Sequence, residues 1–424
     1  MSKFYENRKN VVPIHPQKTR FRFVTYTVWI DWFSDQNGKE VKKQFASIAL
    51  RDDLTGREII HPVSDFILSR WKLRSYNTQR KHANNIVVFL NNLLSESSNK
   101  GLTSLSKLKL SHGNAFLNQF VNLDRSKETI KDYERTLTYF YKFLSDNGCL
   151  EYISSSIFIK KHNLQGGYYY ESPFTILYPT RKTSKVEHAF PDKYVPLLFE
   201  IAILVSQPIV LGLYLQFFGG LRIGEVVNLK RSSLKRKVAD GDILVQIKER
   251  YFRTDLKDSS GGNYVKKPRN QRIYQIYDWF DHLYHDHLEM YPDVDGSGAL
   301  FLNRDGRPMS EKSYRQYFEK IKKHFLNYLR ETGDIEDKIL ANHLSIMKWS
   351  THIGRGTFSN WLAEHAENPY EIAQPRGDSG LTSSLSYISK TARMRKKIET
   401  SFQDMHGKYI PRLVKRRNKD DGIE

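Results

Sequence analysis

The sequence predicts a mainly α-helical protein with small β elements, built as a β-rich N-terminal module, a helical domain and a mixed α/β domain. Three observations carry this expectation. The side-chain pattern changes from strand-like to helical periodicity near residue 62. A stretch with neither period, containing Gly and Pro, interrupts the chain at 163–190. The length, 424 residues, suits two or three domains at roughly 150 residues each. We place the boundaries at 1–60, 61–162 and 191–424, with a linker at 163–190.

Residues 21–29 (FRFVTYTVW) are dense in β-branched and aromatic side chains, which suit a strand. Asn37-Gly38 is a favoured hairpin pair, and 41–48 can return as a second strand with Lys39, Lys42 and Lys43 on its basic edge. The helical domain follows. Ile86, Phe89, Leu90, Leu93 and Leu94 form one apolar stripe; Ile130, Tyr133, Leu137, Phe140 and Leu144 form another, in steps of three and four. Ser126 is the expected N-cap of that second helix and Gly148 its stop. A bundle of about four helices over 62–160 results, with Arg80, Lys81, Lys127, Lys131 and Arg135 on its polar face. The linker carries the run Thr-Arg-Lys-Thr-Ser-Lys at 180–185, suited to lie along phosphates. The last domain reads as mostly helical, with strands expected at 243–247 and 272–277.

Lys and Arg number 67 against 47 Asp and Glu, a formal charge of +20. Such an excess favours a polyanionic partner, either nucleic acid or an anionic membrane surface. Aromatics make up 13% of the chain and are interleaved with the basic residues, which favours nucleic acid. No uninterrupted apolar run approaches the ~18 residues of a membrane span, and the segment MSKFYENRKN lacks the apolar core of a secretion signal. The single cysteine, Cys149, excludes an intramolecular disulfide and a multi-cysteine zinc site. The expectation is an intracellular protein without metal or cofactor.

Three segments of the last domain can carry chemistry. They are Gly219-Gly220-Leu221-Arg222-Ile223-Gly224-Glu225, His352-Ile353-Gly354-Arg355, and Tyr387. Singly each is common; in this order they resemble the tyrosine recombinases, the lambda-integrase-like or phage integrase family. Their catalytic domain carries Arg, Lys, His-x-x-Arg, a His or Trp, and Tyr. Arg222 with an acidic residue three positions on matches the first box, and the 32-residue step from Arg355 to Tyr387 matches the family's usual interval. The family's hairpin lysine is matched by Lys267, in Lys267-Pro268-Arg269-Asn270-Gln271-Arg272 ahead of an apolar strand, with Lys257 and Lys266 as rivals. The chain departs from the pattern at Asp378, nine residues before Tyr387, where His or Trp is usual. Three explanations stand open: Arg376 or Ser379 serves instead, the Asp orients a neighbour, or the site is damaged.

The resemblance implies a tyrosine-recombinase architecture, with a core-binding helical domain and a catalytic domain that clamp duplex DNA. Tyr387 would be the nucleophile, Arg222 and Arg355 would stabilise the pentacoordinate phosphorane, His352 would assist proton transfer, and Lys267 would act as the acid. These residue types suit the reaction. Guanidiniums grip the non-bridging oxygens through forked hydrogen bonds and keep their proton at neutral pH, while a phenol needs a nearby base or cation to attack. The implied function is a site-specific DNA recombinase or integrase acting through a 3′-phosphotyrosyl intermediate. The alternatives are a non-cutting DNA-binding regulator of the same fold and a type IB topoisomerase or telomere resolvase. Implied partners are double-stranded DNA, further copies of the chain in a tetramer on paired sites, and an accessory DNA-bending protein, but no membrane. The implied location is the cytoplasm, on DNA. The N-terminal module reads either accessory arm sites or a protein partner.

Overall fold

The structure, a computed structural model, describes residues 20–34, 40–95, 102, 104–123, 125–163, 166–179, 186–188, 190–235, 242–250, 252–253, 255–256, 261–366, 368–378 and 381. The chain divides into two compact units, Met1–Thr183 and Ser184–Glu424.

The first unit opens with β1 (Phe21–Ser34) and β2 (Glu40–Asp52), antiparallel from Phe21↔Asp52 to Ser34↔Glu40, with a bulge between Asp31 and Phe33. β3 (Glu58–Ile60) pairs on the other edge of β2. The expected Asn37-Gly38 turn and Lys39 lie outside the described residues. Four α-helices follow among the described residues: α1 (Ser64–Trp71), α2 (Tyr76–Leu94), α3 (Leu110–Asn122) and α4 (Lys127–Asp146). A short hairpin, β4 (Lys160–His162) with β5 (Tyr168–Tyr170), comes after them.

Both apolar stripes face the core. Ile86, Phe89, Leu90 and Leu93 are buried, as are Ile130, Leu137, Phe140 and Leu144. Tyr133 is half-buried, and Leu94, at the last residue of α2, is exposed. Ser126 caps α4 by accepting from the Thr129 amide (3.2 Å). Past the end of α4, Gly148 takes the left-handed conformation (φ +67°) that stops a helix cheaply only in glycine. Lys127 and Lys131 stand over the Tyr178 ring, at 5.3 and 5.9 Å.

Two features bear on the N-terminal sheet and on the segment after the helices. Among the described residues the sheet shares the core of the helices: Phe23, Ala46 and Ile48 pack into one cluster with Phe66, Ile86, Phe89 and Phe140. Polar side chains of α2 complete the junction. Asn91 bonds both backbone groups of Phe23 (2.8 and 2.9 Å), and Gln79 Oε1 accepts from the Ala46 amide (3.1 Å). Part of the expected linker is also docked. The Phe174 ring stands edge-on to Tyr141 (5.2 Å, 82°) and fits because residue 113 is glycine; a Cβ there would lie 2.3 Å from the ring.

The second unit holds α5 (Val195–Ser206), α6 (Val210–Gly219), α7 (Ile223–Val226), β6 (Leu234–Lys235), β7 (Ile243–Ile247), β8 (Arg269–Ile273), α8 (Trp279–Met290), α9 (Glu311–Glu331), α10 (Ile335–Ile346), α11 (His352–His365) and α12 (Pro369–Arg376). β6, β7 and β8 form one antiparallel sheet in that order. Every residue of α6 is buried, which makes it the central helix of the unit. The 28-residue run Asp192–Gly219 is long and apolar enough to cross a membrane, but more than half of its apolar window is buried within the unit. The strand expected at 272–277 is displaced to β8. After Ile273 the chain docks on the end of α6 instead, the Tyr274 amide donating to the Phe218 carbonyl (2.9 Å).

Candidate active site

The end of α6 sets the first arginine. Gly220 caps the helix with φ +63°, and a Cβ there would meet the Phe358 ring at 2.5 Å. The chain turns, buries Leu221 and starts α7 with Arg222 as N-cap. Glu225, one turn on and with no exposed surface, accepts from the Arg222 amide (2.8 Å) and from Arg222 Nη1 (3.2 Å). It also receives a forked pair from Arg269, Nη1 at 2.7 Å and Nη2 at 3.1 Å. Burial works to raise the Glu225 pKa, but the hydrogen bonds and charge of Arg269, with help from Arg222, outweigh it and hold the carboxyl below its ordinary value.

The second arginine comes from α11. Its approach requires small residues: a Cβ at Gly356 would collide with the His188 carbonyl (1.6 Å), and one at Gly354 would press on Phe217 (2.9 Å). Arg355 is buried and donates through Nη1 to the Gly220 carbonyl. Its Nη2 donates to the Arg376 carbonyl (3.2 Å) and to Asp378 Oδ1 (2.9 Å). Burial, then the charges of Arg222 and Arg376, push the guanidinium pKa down while Asp378 opposes them; the group stays protonated at neutral pH.

Asp378 follows α12, whose cap Gly377 (φ +63°) leaves no room for a Cβ beside Arg269. Gln271 of β8 holds α12 by donating to the Pro375 carbonyl. Asp378 Oδ1 meets Arg222 Nη2 at 3.5 Å as well as Arg355, and Oδ2 pairs with Arg376 Nη2 at 3.3 Å. Across this network four guanidiniums (Arg222, Arg269, Arg355, Arg376) face two carboxylates (Glu225, Asp378).

His352 opens α11 at the surface. Desolvation first, then Arg222 and Arg355, lower its pKa, so the neutral imidazole is favoured. Lys267 is exposed ahead of β8, and its carbonyl accepts from Arg269 Nη1 (3.3 Å). Lys266 is exposed too. Lys257, Ser379 and Tyr387 lie outside the described residues.

Of the residues expected from sequence, the fold brings Arg222, Arg355 and Asp378 into one hydrogen-bonded group with His352 within their electrostatic reach. Lys267 joins it only through its backbone. Sequence reasoning missed the role of Arg269; a signal existed in the acidic residue of the first box, which needs a buried counter-ion. Such a cluster of forked cations, one of them 28% exposed, can grip an anion with paired oxygens, such as a phosphodiester.

No protein-family model matches the sequence, and no curated protein matches it. Solved structures do. Two complexes of the Tn1549 transposon integrase (residues 82–397) with circular intermediate DNA match at TM-scores of 0.50 and 0.52, both at 16% identity, over 79–80% of this chain and 98–99% of theirs. The XerH site-specific recombinase, bound to a palindromic difH substrate after cleavage, matches at 0.50 and 14% identity over 78% of this chain and 82% of its own. Likeness at these identities speaks for architecture alone: the chain has the fold of the tyrosine recombinases.

Proposed function

We propose that this protein is a site-specific DNA recombinase or integrase that cleaves and rejoins duplex DNA through a 3′-phosphotyrosyl intermediate. The observation that carries the reading is the convergence of Arg222 and Arg355, from separate elements, on a single carboxylate oxygen. In the proposed reaction the Tyr387 oxygen attacks phosphorus and the 5′ oxygen leaves. One phosphoester is exchanged for another, so the 5′ hydroxyl can later reverse the step without ATP. Arg222 and Arg355 neutralise the charge that builds on the non-bridging oxygens. His352, favoured in its neutral form, accepts the phenol proton, and Lys267 protonates the leaving oxygen. The scheme needs no metal or cofactor.

Duplex DNA as the partner is supported by the +20 charge and by the DNA-bound state of the structures this chain resembles. In the first unit, basic and aromatic side chains interleave: Arg70 packs on Tyr139 and Tyr168, and Lys160 stands over Tyr168. A tetramer on paired sites, an accessory DNA-bending protein and arm-site reading by residues 1–60 belong to the same proposal. So does a functional division at 61–162, 163–190 and 191–424.

A second reading, a DNA-binding regulator that does not cut, is favoured by Asp378 standing where the family has His or Trp. A suicide substrate carrying the cognate core site separates the two. The recombinase gives a covalent protein–DNA adduct that Tyr387→Phe abolishes without loss of DNA affinity. Tight binding of that site with no wild-type adduct supports the regulator.

A further inference from the structure

Arg355 Nη2 has two protons, and both are committed, one to the Arg376 carbonyl and one to Asp378 Oδ1. Nη1 already serves the Gly220 carbonyl. On Arg222, Nη1 serves Glu225 and Nη2 faces the same Asp378 oxygen. The face on which these two guanidiniums converge is therefore filled by a carboxylate of this chain. Carboxylates and phosphodiesters present the same recognition chemistry, paired oxygens sharing one negative charge. Two such anions in one seat repel each other.

We infer that Asp378 occupies the phosphodiester seat of the DNA-free protein and must leave it before the scissile phosphate is gripped. The structure supplies a place for it to go. Oδ2 already pairs with Arg376 (3.3 Å), which is not one of the two arginines sharing Oδ1. When Oδ1 leaves Arg222 and Arg355, Arg376 remains beside the carboxylate as a partner. The backbone need not follow, because the Asp378 amide is tied to the Ala373 carbonyl (2.9 Å) and Gly377 holds the helix cap. Asp378 is then a competitor built into the chain, which keeps the seat closed to small anions and yields it to a phosphate delivered by bound DNA. This deepens the proposed function and rests on it only for the identity of the anion.

The test is titration of the full chain with inorganic phosphate, read by calorimetry and by the shift in melting temperature. Asp378→Asn keeps the shape and an acceptor but removes the charge. It is expected to bind phosphate at least tenfold more tightly than wild type, and Arg222→Gln added to it should cancel the gain. Asp378→Ser serves the same comparison should the Asn variant not fold. Equal affinity in wild type and variant overturns the inference, because the carboxylate then does not fill the seat. Weaker binding in the variant also overturns it and makes Asp378 a residue that orients the fork. A gain that survives Arg222→Gln places the phosphate elsewhere, with the same consequence. None of these readings involves Tyr387 or a DNA site. Phosphate gain without any adduct on the cognate site therefore keeps the seat and rejects the recombinase, while an adduct without phosphate gain does the reverse.

Discussion

Glu225 has no exposed surface, and a carboxylate so placed stays charged only where cations and donors replace its water. Arg269 and Arg222 do this. Removing one partner of a buried pair typically costs roughly 3–5 kcal/mol, because the other is left uncompensated. Glu225→Gln is accordingly expected to lower unfolding stability by about that amount, measured in urea, and to release Arg222 from its anchor. Arg222→Lys, which leaves Glu225 charged but cannot reproduce the fork, should cost less stability and at least as much adduct formation. The spacing of Arg222 and Glu225 was legible in the sequence. Their tie to Arg269 was not, since it crosses 44 positions and exists only once β8 lies beside α7. Two histidines set a pH response at the same scale. His82, stacked on Trp71 at 3.8 Å and bonded to Thr136, and His287, bonded to the Leu300 carbonyl, are buried and held near pKa 4, chiefly by desolvation. The folded state prefers both neutral, whereas the unfolded chain takes up protons at about 6.5. Their contribution is complete above pH 6.5 and is lost as pH falls towards 4, at most about 3 kcal/mol for each. A urea midpoint that holds steady from pH 7 to 4.5 would contradict this.

At the scale of elements, the sheet of the first unit is a lid on α2. Deleting residues 1–60 strips Phe23, Ala46 and Ile48 from the core, removes both Phe23 backbone partners of Asn91 and leaves Gln79 Oε1 without the Ala46 amide. The truncated chain is expected to aggregate or lose cooperative unfolding, seen by gel filtration and circular dichroism; a soluble, cooperatively folded product would restore an independent module. Periodicity read the helices well because burial on one face imposes it, as in Ile130, Leu137, Phe140 and Leu144. It could not reveal what covers α2, since alternation in β1 says that one face is buried and not against which helix. The same limit explains the misplaced strand: residues 274–277 have strand-like side chains, but Tyr274 bonds to the end of α6. A second expectation concerns the turn after α6. Gly220→Ala forces a side chain into the left-handed region against Phe358, a strain of roughly 1–2 kcal/mol before any clash. Because Arg222 and the Arg355 anchor both hang from this turn, adduct formation should fall further than the melting temperature suggests.

At the scale of the whole molecule, the proposed duplex-DNA partner can be tested through the distribution of charge. Both compact units carry more Lys and Arg than Asp and Glu, so the +20 charge is not the property of one basic patch. Each unit also has its own apolar core, so each can present its basic surface on a stable scaffold. A protein that engages duplex DNA with both units releases condensed counterions from both, and log K should fall with log salt by about 0.9 for every phosphate neutralised. The full chain is therefore expected to show a steeper slope than residues 184–424 alone, with the difference set by the phosphates that the first unit neutralises. Substituting Lys127 and Lys131, exposed on α4 beside Tyr178, should reduce the full-chain slope by about one to two. Equal slopes for the full chain and its second unit would mean that the first unit's charge does not face DNA. Its stacked tyrosines and lysines would then belong to a protein interface.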